Sequence, residues 1–160
     1  MSGIRQRAID GLRPGDTFTA ARTFTEDLVQ AFGDLSRDYN PVHYDRRFAS
    51  AKGFGGLISH GLLVASLLTE IGGQIGWLAT GMELRFLKPV FLGDTVTCRF
   101  MLLEVAERGK AHGRAVFTNQ EGATVIEAAL AGRLPGDAER AILAAMVAEG
   151  DPTNKAGSGS

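Results

Sequence analysis

Residues 61–71, GLLVASLLTEI, limit what this chain can fold into more than any other stretch. Wound as a helix they are apolar almost all the way round, whereas a helix lying on a surface shows a polar face. Such a helix needs cover on most of its sides. Its uncharged apolar run, 62–68, is far too short to cross a bilayer, which takes about 20 residues. The cover must come from within a chain of 160 residues, a length that suits one domain. Gly72-Gly73 is the expected stop.

From about residue 80 the hydrophobic period changes to two. Met82, Leu84 and Phe86 alternate in GMELRFLKPVF, and Val96, Cys98, Phe100 and Leu102 alternate in DTVTCRFMLLEV. KAHGRAVFTN and ATVIEAALAGRL continue the pattern. Turn chemistry separates the runs at 92–94 (LGD), 107–110 (ERGK) and 119–122 (NQEG). These segments are expected to form an antiparallel meander of four strands, joined by a weaker strand near 17–24. One five-stranded antiparallel sheet curled around a buried helix is an α+β architecture.

Ahead of the buried helix, Thr25-Glu26-Asp27 has the chemistry of a helix start: a hydroxyl cap, then two acids in the first turn. Leu28, Phe32 and Leu35 would form its apolar face. Asn40-Pro41 would end it, since the residue before a proline avoids the α region. Beyond the sheet, Pro135-Gly136 closes the domain. Asp137 then caps a helix with the i,i+4 pairs Ile142/Met146 and Leu143/Val147, expected to pack on its own sheet, with cover of a dimer surface as the alternative. The organisation expected is a domain over 1–136, a helical extension over 137–150 and a polar, disordered tail over 151–160.

Seventeen basic and eighteen acidic residues leave a formal net charge of −1, which argues against a nucleic-acid binder. The lone cysteine, Cys98, can make no internal disulfide, and its strand setting suits a small buried apolar residue. The N-terminal stretch has no apolar core of a secretory signal. A cytoplasmic protein with no membrane partner is the expectation.

Residues 38–43, DYNPVH, hold the chemistry. Asp38 falls at or just past the end of the first helix, and His43 lies beyond a proline-stiffened turn. A carboxylate and an imidazole have well-separated ordinary pKa values, which suits an acid–base pair. Asp38 and Asn40 are equally ordinary turn residues that bond nearby backbone. Ser59-His60-Gly61 opens the buried helix, where unpaired N–H groups can meet a developing oxyanion and glycine leaves room for close approach. His60 is expected to be structural or capping. His43, His60 and His112 are far apart in the chain and no metal-binding spacing exists, so no metal is expected. The glycines at 53, 55 and 56 do not follow a strand as a dinucleotide loop requires.

DLSRDYNPVHYD, then GLISHGLLVASLL, then GMELRFLKPVFLGD resemble, in that order, the MaoC-like (R)-specific enoyl-CoA hydratases and dehydratases of the hot-dog fold. The likeness runs from about Phe18 to about Leu134. It implies a catalytic dyad of Asp38 and His43, with Asn40 supporting the loop. It further implies a backbone oxyanion donor at Gly61 and an acyl pocket lined by Thr69 and Gly72. The implied reaction is syn addition of water to a trans-2-enoyl-CoA to give an (R)-3-hydroxyacyl-CoA, or the reverse. No cofactor is implied beyond the coenzyme A of the substrate. The implied assembly is a homodimer whose sheets pair edge to edge. Arg46, Arg47, Lys52, Arg85 and Lys88 are candidates to meet the anionic carrier. Two features depart from the resemblance: GGLIS stands where many relatives place a proline before the histidine-glycine pair, and a helix is added at 137–149. Alternatives are a 3-hydroxyacyl-acyl-carrier-protein dehydratase, a hot-dog acyl-CoA thioesterase with Glu70 as base, and a non-catalytic acyl-thioester-binding module.

Overall fold

The computed structural model describes residues 3–155. Helices α1 (Gly3–Asp10), α2 (Glu26–Ser36), α3 (Arg46–Ala51), α4 (Gly61–Ala65), α5 (Leu67–Ile75) and α6 (Asp137–Ala148) accompany five strands. The strands are β1 (Thr17–Thr23), β2 (Leu78–Phe86), β3 (Thr95–Val105), β4 (Lys110–Thr118) and β5 (Thr124–Arg133). They form one antiparallel sheet in the order β1-β3-β4-β5-β2.

The period-two alternation works as anticipated in β3, where Val96, Cys98, Phe100 and Leu102 are all buried. Ala111, Ala115 and Phe117 of β4 and Ile126, Ala128 and Leu130 of β5 continue that inner face. Val64, Leu67, Leu68, Ile71 and Ile75 of α4 and α5 complete the core. Burying such a side chain contributes about 1.5–3 kcal/mol. The apolar helix is therefore held by the sheet and not by its own propensity.

The meander does not extend to β2. It pairs with β5, from Leu78↔Arg133 to Phe86↔Ile126, and lies at the sheet edge. The reason is the connection 87–94, which is stitched to the loop before α4 and to the end of β1. Ser59 N–H donates to Val90 O at 2.7 Å, Leu92 N–H to Leu57 O at 3.2 Å, and Gly93 N–H to Phe24 O at 2.8 Å. That crossing carries the chain to the far side of the sheet. Of the alternating set on β2, Leu84 is half-buried, while Met82 and Phe86 are exposed.

Several local boundaries also differ from expectation. Gly72-Gly73 does not stop the central helix, which runs on to Ile75 and ends at Gly76 in the left-handed region, φ 69°. Ile75 extends the apolar face by one more turn and is buried, which outweighs two glycines in the interior. The helix is broken once, at Ser66, whose hydroxyl donates to Leu63 O. In α2 the Thr25 hydroxyl accepts from Leu28 N–H at 3.3 Å as the cap chemistry requires. Its inner face is Val29 and Gly33, with Leu28 and Phe32 half-buried against the core as expected, whereas Leu35 is 83% exposed. Arg37, left-handed at φ 62°, ends this helix before Asn40-Pro41 is reached.

At the C-terminus Gly136, not Asp137, is the cap of α6, and Glu139 Oε2 accepts its N–H at 2.7 Å. This helix packs on α1, which nothing in the period suggested, more than on the sheet. Part of the tail expected to be disordered is held down. Buried Arg5 of α1 pairs with Asp151 at 2.8 Å and donates to Gln74 O at 2.8 Å, while Gln74 Nε2 donates to Thr153 O at 3.0 Å. The remainder, 156–160, lies outside the described residues.

Candidate active site

Asp38 lies two residues beyond α2, and a 3₁₀ turn, Pro41–His43, follows it. Both turn roles foreseen for DYNPVH are filled. Asp38 Oδ1 accepts from Asn40 N–H at 3.2 Å, and Asn40 Oδ1 accepts from Val42 N–H at 3.2 Å. These bonds use one carboxylate oxygen of Asp38. The other, Oδ2, lies 3.9 Å from His43 Nε2. That is too long for a direct hydrogen bond.

His43 Nδ1 lies 2.7 Å from Ile58 O, so this nitrogen carries the proton and Nε2 presents its lone pair toward Asp38. The His43 side chain is 8% exposed against 49% for Asp38, so the pair sits at a boundary between core and solvent. Burial pushes the His43 imidazole below its ordinary value. Its bond to the Ile58 carbonyl and the nearby Asp38 carboxylate pull the other way, and His60 adds to the depression. The ring is therefore neutral near pH 7.

His43 and Gly61 line one pocket of about 490 Å³, together with Phe54, Ser59, Val64, Phe86 and Lys88. Gly61 is the first residue of α4, where a helix leaves N–H groups without intrahelical acceptors. A Cβ built on it would approach the Phe86 ring to 2.5 Å, so glycine is what permits Phe86 to close over the helix start. Asp38, Asn40, His43 and Gly61 thus gather at one place. Thr69 and Gly72 do not join them. They line a separate apolar hollow of about 180 Å³ with Leu68, Trp77 and Met82. Gly72 stands eleven residues along the helix from Gly61, about 16 Å at 1.5 Å per residue.

Of the basic candidates, Lys88 lines the site pocket. Arg47 is bound to Asp45, and Lys52 lies 5.8 Å from the Phe48 ring centre. Arg46 and Arg85 are exposed elsewhere on the surface. Glu70 is paired with Arg22 at 2.7 Å and stands apart from the residues lining the His43 pocket. Cys98 is fully buried, and burial pushes its thiol up to about 12.

Two participants were not legible as such. The Ile58 carbonyl fixes the His43 tautomer, and a backbone acceptor has no sequence signature. His60 stacks on His43, ring centres 3.8 Å apart, and lies 2.9 Å from the Asp38 carbonyl through Nε2. Its cap position was visible, but its side chain makes no capping bond. Asp38, His43 and His60 place donor atoms within 4.8 Å of one another, a donor set that chain spacing had hidden. One nitrogen of each ring is already committed to a backbone carbonyl, which suits proton transfer better than metal ligation.

A curled antiparallel sheet with a carboxylate and an imidazole beside the start of its enclosed helix is the arrangement of a hot-dog-fold lyase. A family model described as MaoC like domain matches residues 12–125, and the chain belongs to that family of hydratases and dehydratases. The (R)-specific enoyl-CoA hydratase of Aeromonas caviae is 37% identical over 100 residues, 60% of this chain and 75% of that protein. The solved structure of the (R)-hydratase from A. caviae superposes with a TM-score of 0.74 at 33% identity, covering 78% of this chain and 98% of that one. A mitochondrial 3-hydroxyacyl-[acyl-carrier-protein] dehydratase of Arabidopsis thaliana is 32% identical over 87 residues, 53% of this chain and 52% of that protein. The chain thus aligns with about half of the plant relative.

Proposed function

We propose that the protein is a hydro-lyase that adds water to a trans-2-enoyl-CoA to give an (R)-3-hydroxyacyl-CoA, or runs the reverse dehydration. The observation that carries this reading is the 3.9 Å gap between Asp38 Oδ2 and His43 Nε2 beside a pocket reaching Gly61. A water hydrogen-bonded to both atoms at about 2.8 Å would subtend about 90°, close to its own geometry.

In this mechanism the water donates one hydrogen bond to each member of the pair. The thioester carbonyl accepts the Gly61 N–H, which draws electron density from C3 and stabilises the developing enolate. The water oxygen bonds to C3 as one of its protons passes to the pair, and the pair then delivers that proton to C2 of the enolate and returns to its starting state. Both new bonds form from the same side of the planar enoyl group, so addition is syn. Asn40 holds the turn that carries both residues. The acyl chain extends along the helix toward Thr69 and Gly72, and Lys88 faces the anionic carrier at the mouth. No resident cofactor enters the reaction.

The assembly proposed is a homodimer in the cytoplasm. Strand β2 presents Leu78, Met82 and Phe86 to solvent, at 67%, 47% and 54% exposure, on an unpaired sheet edge. Pairing with a second copy would cover both the edge and its apolar side chains.

The test is loss of the conjugated enoyl absorbance of crotonyl-CoA, then of longer and branched enoyl thioesters, on CoA and on acyl carrier protein. Wild type should give the (R)-3-hydroxy product, and Asp38→Asn should be slower by about 10²–10⁴-fold. Release of free CoA would replace this reading with a thioesterase. Silence on every thioester alongside tight acyl-CoA binding would leave a binding module.

A further inference from the structure

His60 is more deeply buried than either member of the pair it touches, at 1% exposure. Its Nε2 lies 2.9 Å from Asp38 O and must donate, since a carbonyl can only accept. Tyr44 Oη is 3.4 Å from the same nitrogen. The other ring nitrogen, Nδ1, has no hydrogen-bond partner among the described residues. A buried nitrogen without a partner is destabilising. An apolar ring would fill the same space without that penalty, and what it would lack is the Nε2–H donor.

The ring also has two ring neighbours: Phe32 of α2, with ring centres 5.0 Å apart and planes 58° apart, and His43, at 3.8 Å with the planes 33° apart. The peptide that follows His60 carries the Gly61 N–H. One side chain therefore connects the backbone of the carboxylate, the ring of the imidazole and the helix start.

We infer that His60 is a positioning residue for the hydration reaction, whose Nε2–H fixes the backbone of Asp38 while its ring supports and shields His43. The inference rests on the hydro-lyase reading of the same site. Its two parts are chemically separable. The donor sets where the carboxylate stands relative to Nε2 of His43, and a displacement of about 1 Å in such a pair can lower turnover about 100-fold. The ring keeps water from one face of His43. Burial is the largest cause holding the His43 imidazole below its ordinary value, so thinning that face moves it upward. The groups facing His43 are Asp38 after α2, His60 before α4, the adjoining Tyr44 and the Ile58 carbonyl, with Lys88 from the segment after β2 on the same pocket. Asp34 of α2 acts on Tyr44 from behind.

Two variants separate the parts in the full chain. His60→Phe keeps a ring and loses the donor, and His60→Gln keeps a donor near Nε2 and loses the ring. Near-ultraviolet circular dichroism establishes that each folds, and His60→Met stands in as the donorless variant if the Phe variant does not.

With the best enoyl thioester, His60→Phe should lower kcat by about 10- to 100-fold with KM nearly unchanged, and His60→Gln should restore most of it. In parallel, NMR titration of His43 should show its pKa rising further in His60→Gln than in His60→Phe, because both variants lose the His60 charge and only the Gln variant loses the covering ring. A donorless variant with wild-type kcat overturns the inference. So does a folded His60→Gln as slow as His60→Phe. If the wild type hydrates no thioester, the hydro-lyase reading falls by itself. The His43 titration then decides the shielding role, and an unchanged pKa in His60→Gln rejects it.

Discussion

Two leucines five positions apart on the central helix give the sharpest test of how it is held. Leu67 is 0% exposed, and Leu62 is 62% exposed at the rim of the site pocket. Changing either to alanine removes the same three carbons. At about 0.8 kcal/mol for each buried carbon, the transfer loss at Leu67 is about 2.4 kcal/mol. The cavity left behind adds to it, and buried Leu→Ala changes lie at about 2.7–5 kcal/mol. An expected loss of about 4 kcal/mol corresponds to a fall in Tm of about 8–16 °C for a domain of this size. At Leu62 most of the surface is already in water, so the loss should stay below about 1 kcal/mol. Its effect belongs to KM, because its side chain lines the pocket. The assay is urea unfolding followed by Trp77 fluorescence and far-ultraviolet circular dichroism. Protein concentration must be fixed, since association shifts apparent stability. Equal losses in the two variants, or less than about 1 kcal/mol at Leu67, would refute the claim that the sheet encloses this helix.

Because burial lowers His43 from its ordinary 6.5, the ring is neutral in folded and unfolded chains well above that pH and contributes no pH dependence there. Below 6.5 the unfolded ring protonates first, so stability falls with pH until the lower folded value is passed, then levels off. Urea midpoints between pH 5 and 7 should show this decline in the wild type and lose it in His43→Gln. The acid limb of kcat/KM should lie below 6.5, and a limb at or above that value would contradict the burial argument. Cys98, buried and held up to about 12, should not react with Ellman's reagent at pH 8 until urea unfolds the chain. Gly72→Leu should fill the apolar hollow shared with Trp77 and lower kcat/KM for long enoyl chains far more than for crotonyl-CoA. Equal losses on all chain lengths would place the acyl chain elsewhere.

The apolar circumference of 61–71 and the period-two runs were enough to call for a curved sheet on a central helix, because burial period follows from local backbone geometry alone. The stiff Asp38–His43 turn was legible for the same reason: proline restricts its neighbours whatever surrounds it. Strand order was not legible. β2 has an alternating sequence, and only the stitching of 87–94 to 57–59 and to Phe24 sends it to the edge beside β5. The end of the central helix was not legible either, for a related reason. Gly72-Gly73 is a strong local stop, but burial of Ile75 overrides propensity once the core exists.

The sequence by itself placed a carboxylate and an imidazole, Asp38 and His43, in one segment stiffened by a proline. Tertiary structure alone decided their state. The Ile58 carbonyl selects the His43 tautomer, burial keeps that ring neutral, and His60 is brought across 22 positions to hold the Asp38 backbone. Each of these is a contact between distant parts of the chain. Its energy depends on water excluded by the whole fold, and no local pattern of side chains encodes that.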